Sequence, residues 1–428
     1  MNWIKRIGSN LLLAGAALLQ AAPAWADVAI EIVGVGSQQY PIAIAPLRGE
    51  VGLTQPLTPV ISNDLNLSGL FRVINAGDMS PTPFSPAEIN PQALTARGAQ
   101  TVLVGQVEQG AGDVRIRFWL LEAATRRELI SYEMRAQPQQ LRRAAHQIAD
   151  MIYEKITGEP GAFNSRIAYV LKTGARYELQ VADSDGYGAQ TILGSREPIL
   201  SPKWSPDGSA LAYVSFEQQK PMVFTHHLPT GRRKAVAAFR GNNSAPAWSP
   251  DGRMLAVALT KDGGTQVNLI SAEGGAARRF TLVGDINTEP AWSPDGLTLV
   301  FTSDRGGSPQ IYRQALAGGD AERLTFSAAY NASAKFSPDG RLMTFVSKTN
   351  GGYHVAVMDM ATRQIMVLTD SPDDDSPSFS PNGRMILYET LVDRRRTLAV
   401  VSSDGRVKQR IKTVAGEVRQ PAWGPLLK

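Results

Sequence analysis

The segment Trp-Ser-Pro-Asp-Gly stands whole at Trp204–Gly208, Trp248–Gly252 and Trp292–Gly296. It decays to Phe-Ser-Pro-Asp-Gly at Phe336–Gly340, to Phe-Ser-Pro-Asn-Gly at Phe379–Gly383, and to a truncated Trp-Gly-Pro at Trp423–Pro425. The successive aromatic residues are 44, 44, 44, 43 and 44 positions apart. One such unit cannot bury its apolar face alone, whereas neighbouring units can bury one another's. A period of about 40–45 residues with several short strands per unit is the sequence signature of a β-propeller.

Each unit reads as four strands, A to D. The aromatic ends strand A and is expected to pack between neighbouring blades. Ser-Pro-Asp-Gly makes the turn, with Pro presetting φ and Gly taking the last, sterically demanding place. An apolar run follows as strand B, such as Leu211–Val214, Leu255–Val257 or Leu299–Phe301. In the Trp292 unit, Ser303–Gly307 turns into Gln310–Tyr312, and Ala317–Gly319 turns into a fourth strand ending at Thr325. The run Arg166–Val170 matches a B strand but has no A strand before it. Its missing partner is Gln420–Pro425 at the far end of the chain. The two ends of the domain are therefore predicted to complete one blade. This closes six blades and leaves no exposed sheet edge.

Residues 27–160 carry no repeat and show helical as well as strand periodicity. Val28–Val33, Tyr40–Ile44, Gly69–Ile74 and Thr101–Val104 read as strands, and Val114–Leu120 with Leu129–Met134 as an antiparallel pair. Pro59–Leu67 and Pro91–Arg97 read as helices. So does Leu141–Ile156, whose apolar positions Leu141, Ala144, Ala145, Ile148, Ile152 and Ile156 keep helical spacing. The expected fold is an α/β sandwich with a mixed sheet, joined at Thr157–Gly161 to a propeller spanning residues 161–428.

The first 26 residues read as a secretory signal peptide. Lys5 and Arg6 precede a short apolar core, Leu11–Leu19, and Ala24-Trp-Ala26 fits cleavage between Ala26 and Asp27. No cysteine follows that core, which argues against a lipoprotein anchor. The whole chain has no cysteine, so disulfides and thiolate metal sites are excluded. Loss of the leader takes two positive charges from a net +5 and leaves +3. Basic runs such as Arg232–Lys234 and Arg394–Arg396 are short and fall at turns or strand ends. They read as solvated faces rather than a nucleic-acid stripe.

The inventory gives little to a catalytic reading. Four histidines are present. His146 lies on a predicted amphipathic helix, which suits a surface or interface role. His226 and His227 are adjacent in a strand, so their rings should face opposite sides. No His-Glu-x-x-His, Walker loop or G-x-S-x-G elbow is found. No catalytic residue and no metal ligand is assigned, and the chain reads as no enzyme.

Binding is expected instead on the loops entering each A strand, which converge on the channel mouth. They carry Glu197; Asn242, Asn243, Ser244 and Ala245; Asn287, Thr288 and Glu289; Asn331 and Ser333; Asp374 and Asp375; and Arg419 with Gln420. These side chains offer donors and acceptors, although Asn and Asp also simply suit turns. The acidic run Asp373–Asp375 could hold Ca²⁺ or be a solvated loop. No other cofactor is expected.

Together the leader, the small α/β domain, Arg166–Val170, the six repeats and the closing Pro-Ala-Trp strand resemble the TolB family over the whole mature chain. The resemblance implies a periplasmic, non-enzymatic adaptor of the Tol-Pal system, acting as a monomer and without membrane insertion. It implies that Pal, the peptidoglycan-associated lipoprotein, binds the propeller face. Asn242–Ala245 and Thr288 match positions linked to Pal contact, with Asn242 where some relatives have His. It also implies that Asp27, Val28, Ala29, Ile30, Glu31, Ile32 and Val33 bind the C-terminal domain of TolA. Their alternation suits strand addition, and it equally suits an ordinary first strand of the α/β domain. The two could be states of one switch biased by Pal. Colicin translocation peptides use the same mouth in some members. The competing reading is a propeller receptor for a small sugar or peptidoglycan fragment.

Overall fold

The computed structural model describes residues 31–32, 39–411 and 416–427. The leader, its cleavage point, Asp27–Ile30 and Val33 lie outside the described residues.

The α/β domain is a five-stranded mixed sheet in the order 71–75, 40–44, 101–109, 114–122, 128–136. The first three strands are parallel and the last three antiparallel. Two helices cover one face, α1 (Leu57–Leu67) and α3 (Leu141–Thr157), and a short helix, α2 (Pro91–Ala96), lies over the other. Alternation along Tyr40–Ile44 decides the sides. Ile42 and Ile44 pack under α1 and α3, while Ala43 packs with Ala45, Leu94 and Val102 on the α2 side. Helix α1 begins two residues before Pro59, because the buried Glu50 carboxylate accepts the free N–H groups of Leu57 (3.1 Å) and Thr58 (3.0 Å). That cap comes from outside the helix and leaves no local signal. Helix α3 ends where Gly158 turns left-handed, at φ +76°.

The propeller has six four-stranded antiparallel blades, and blade VI carries a fifth strand. Their A strands are 417–426 (blade I), 199–204 (II), 243–248 (III), 287–292 (IV), 331–336 (V) and 375–379 (VI). Strand 417–426 pairs with 165–173, so the last strand of the chain does complete the first blade. The aromatic residues lie between blades as expected. The indole N–H groups of Trp204, Trp248 and Trp292 each donate, at 3.1 Å, to a carbonyl on the preceding A strand: Ala422, Lys203 and Ala247. In the turn after Trp204, the Ser205 hydroxyl donates to Asp207 (2.6 Å) and accepts the Ala210 N–H (2.9 Å).

One departure from the sequence reading lies at the N-terminus. Glu31–Ile32 does not join the α/β sheet. It pairs antiparallel with the outer strand of blade VI, Glu31 opposite Arg410 and Ile32 opposite Gln409. The α/β sheet begins instead with Tyr40–Ile44, flanked on both edges by its own strands. That leaves no vacant central place for an earlier strand, whereas blade VI offers an open outer edge.

The two domains share a buried interface. Leu67 of α1 packs among Ile167, Tyr169 and Leu387 of the propeller. Gly69 has φ +68°, and a Cβ there would meet Val407 at 2.3 Å, so glycine is needed both for the turn and for the close approach.

Candidate functional site at the channel mouth

Every A strand carries one extra residue relative to its B strand, a β-bulge. In blade II the register skips between Leu200 and Lys203, and the same skip recurs in the other five blades. The bulge leaves one residue per blade with left-handed backbone: Ser201 (φ 54°), Ala245 (48°), Glu289 (52°), Ser333 (59°), Ser376 (55°) and Gln420 (50°). None is glycine, so each position costs roughly 1–2 kcal/mol relative to ordinary backbone. Five are followed by proline, which has no N–H to give to a ladder and is tolerated at bulges. All six line one narrow cavity of about 80 Å³ at the axis.

Two of these residues stitch neighbouring blades. Glu289 accepts from the Ser333 hydroxyl (2.7 Å) and, through its other oxygen, from the Ser333 N–H (2.9 Å) and Thr302 (2.9 Å). The Gln420 side-chain carbonyl accepts the Ser201 N–H at 2.7 Å, and the Gln420 N–H donates to Glu389 at 2.5 Å. Burial lifts the Glu389 carboxyl to about 7.

The residues expected to bind divide by register. Ser244, Ala245, Thr288, Glu289, Ser333 and Asp375 are partly exposed around the mouth, and Glu197 and Asn242 are exposed on its rim. Asn243, Asn287 and Asn331, at the first A-strand position, and Asp374, just before the A strand of blade VI, are buried and hold their own loops. The Asn243 amide donates to the Phe239 carbonyl (2.9 Å) and accepts the Phe239 N–H (2.9 Å). Asn287 and Asn331 donate to Gln266 (3.0 Å) and Gln310 (2.9 Å), and Asp374 accepts from Ser371. For these four the turn-forming role displaces the binding role, because every loop has internal carbonyls and amides to satisfy before it can face outward.

The acidic run does not converge into a cation site. Asp373 pairs with Arg396, Asp374 turns inward, and Asp375 caps the Ser376 N–H at 2.5 Å. Among the described residues the acid–histidine cluster with metal-like spacing is elsewhere, at Asp64, His146 and Asp185, whose ligand atoms lie within 4.8 Å. That cluster joins the domains. His146 Nδ1 donates to Asp64 at 2.6 Å, and Arg142 donates to Asp183 (2.8 Å) and Asp185 (2.6 Å) while lying 3.8 Å over the Tyr187 ring. Burial acts to lower the His146 pKa, but the carboxylates, Asp64 foremost, raise it to about 10. A protonated imidazole beside a guanidinium is an ion-pair cluster and a poor metal site. His146 thus takes the interface role. His226 is buried and His227 exposed, on opposite faces of their strand.

Sequence reading passed over Lys203, Lys335 and Ser376, which also line the channel. Their signal was present. They fall one or two residues beyond the loop ends, at fixed distance from the aromatic.

The fold defines a two-domain propeller protein with a ring of left-handed residues at its channel mouth. Residues 153–427 match the family model described as the TolB beta propeller domain, and residues 28–129 match the TolB amino-terminal domain. The chain is 63% identical over 399 residues to the Tol-Pal system protein TolB of Azoarcus sp. (strain BH72), covering 93% of each. It is 57% identical over 428 residues to that of Nitrosomonas europaea, covering 100% of this chain and 99% of the relative. The crystal structure of TolB from Acinetobacter baumannii superposes with a TM-score of 0.86 at 36% identity, covering 93% of this chain and 100% of that one. The chain belongs to the TolB family of Tol-Pal system proteins. Among the described residues no helix is long and apolar enough to cross a membrane.

Proposed function

We propose that this chain is a non-enzymatic periplasmic adaptor of the Tol-Pal system, made with a leader cleaved before Asp27. In this reading the propeller face takes the soluble domain of Pal, and the mature N-terminus takes the C-terminal domain of TolA. The adaptor thereby supports outer-membrane integrity and invagination during division. The observation that carries the reading is the ring of six left-handed, non-glycine residues at the mouth. Strain of this kind persists only where the surroundings hold it, and it concentrates at binding surfaces. Five of its six residues are polar, and exposed Asn242 and partly exposed Thr288 stand beside it.

The N-terminal strand suits the second role. Glu31–Ile32 is docked on blade VI through two residue pairs. Strand addition at an outer sheet edge is a pairing that another sheet edge can also offer. Docked and partner-bound are then alternative states, and Pal on the propeller biases the choice between them.

Calorimetric titration of residues 27–428 with soluble Pal tests the main claim. Saturable binding is expected, weakened about tenfold or more in Asn242→Ala/Thr288→Ala. No binding by the intact, folded chain would overturn it and bring the small-ligand receptor forward. A TolA affinity that Pal leaves unchanged would remove the coupling alone. Sustained turnover of generic ester, peptide or glycoside substrates would contradict the non-enzymatic reading.

A further inference from the structure

Two residues beyond each left-handed position, the A strands of blades III, IV, VI and I carry Ala247, Ala291, Ser378 and Ala422. Blades II and V, opposite one another around the ring, carry Lys203 and Lys335 instead. Both lysines line the 80 Å³ cavity. Among the described residues neither ammonium makes a hydrogen bond or ion pair, although each has three donors to satisfy.

The acids nearby do not supply the missing partner. Both oxygens of Glu289 are engaged by Ser333 and Thr302, and Asp375 caps the Ser376 N–H. Tyr330, also within reach of the Glu289 and Asp375 charges, is held in its neutral form by burial. Burial, and then the charge of Lys335, bring Lys203 down to about 7 against the opposing pull of Glu289 and Asp375, and burial lowers Lys335 against the pull of Glu289. Two like charges directed into one narrow space are unfavourable unless one loses its proton or a counter-charge enters between them. Water can satisfy the donors, but it cannot neutralise the pair.

We infer that the channel beneath the ring is a socket for a single carboxylate-sized anion held between Lys203 and Lys335. The two ammonium groups that line the cavity set the class of ligand, a small anion that both can reach. The carboxylate has two sources of identical chemistry, a free small acid or an acidic side chain of a protein segment bound across the mouth.

The test uses residues 27–428 in buffer free of carboxylates, with acetate as the probe and the lysine Nζ resonances as the readout. Saturable acetate binding is expected. The Lys203 titration midpoint should rise by about one unit or more at saturation, because the anion stabilises the charged form. Lys203→Met and Lys335→Met, with folding checked by thermal unfolding, should each weaken acetate about tenfold. If a variant does not fold, the titration of the intact chain decides. A midpoint indifferent to acetate, or acetate binding unchanged in both folded variants, would overturn the socket. Repeating the titration on the complex with soluble Pal separates the sources. Competition identifies a partner side chain as the occupant, and unchanged acetate binding identifies a free acid. The first arm contains no partner, so the socket and the Pal reading fail independently.

Discussion

The molecule gathers charge in two enclosed places and treats it in opposite ways. At the domain interface, Asp64, His146, Arg142, Asp183 and Asp185 form a closed set in which each cation touches a carboxylate within 2.8 Å. In the channel, Lys203 and Lys335 line one space, and among the described residues neither has a hydrogen-bond or ion-pair partner. A buried pair broken on one side leaves an uncompensated charge, so the interface cluster ties the domains together. A partly buried cation left unpaired weakens the fold. The contrast separates a structural use of buried charge from a receptive one.

The harshest break is deletion of residues 418–428. It removes the A strand of blade I and with it the Gln420–Ser201 stitch, opening the channel while leaving the interface residues in the chain. Loss of cooperative thermal unfolding is expected. Retention of the full-length transition would show that the closing strand is dispensable.

Single substitutions should then fall on opposite sides. Asp64→Ala strands the His146 charge and is expected to cost about 3–5 kcal/mol in denaturant unfolding. Lys335→Met removes an unpaired charge and should be neutral or stabilising by about 1 kcal/mol. Equal losses would erase the distinction between the two sites.

Their pH dependences should also oppose. The folded-state pKa of His146 is raised from 6.5 to about 10. Its stabilisation is therefore complete below the unfolded value and is lost as pH rises from 6.5 through about 10. Lys203 is lowered from 10.5 to about 7. Its contribution is greatest above the unfolded value and falls as pH drops from 10.5 through about 7. In the intact chain the two slopes offset one another. His146→Gln should leave stability rising with pH between about 7 and 10, and Lys203→Met should leave it falling. Unfolding free energies of both variants across that window check the signs.

The smallest effect belongs to the repeat itself. Trp248→Phe removes the indole bond to the Lys203 carbonyl and should cost about 1 kcal/mol. Blades V and VI already carry Phe336 and Phe379 at that position, so the fold should survive.

Much of the architecture was legible in the chain. The 44-residue period locates six blades, and the orphan run Arg166–Val170 with the tail at Gln420–Pro425 predicts their closure. Helix α3 reads to within a residue because its apolar stripe is local and Gly158 stops it. The start of α1 was missed because its cap, Glu50, lies seven residues before Leu57. At the mouth, the loops were found but not the direction of each side chain. Asn243, Asn287 and Asn331 look like donors in sequence and prove to be fasteners, since the bulge sends the third A-strand residue toward the axis and leaves the first one inside.

The sequence by itself determined what recurs or is local: the period, the turn chemistry, the absence of cysteine and the blade completed from both ends. These follow from neighbours along the chain and from hydrophobic alternation. The tertiary structure decided what distant segments do to one another. Helix α3 met a loop of blade I and buried His146 among three carboxylates from two segments. Two lysines 132 positions apart in the chain came to line one cavity. Glu31–Ile32 found the outer edge of blade VI rather than the sheet of its own domain. Charge and pairing act through space, and only closure of the ring and docking of the two domains set those distances.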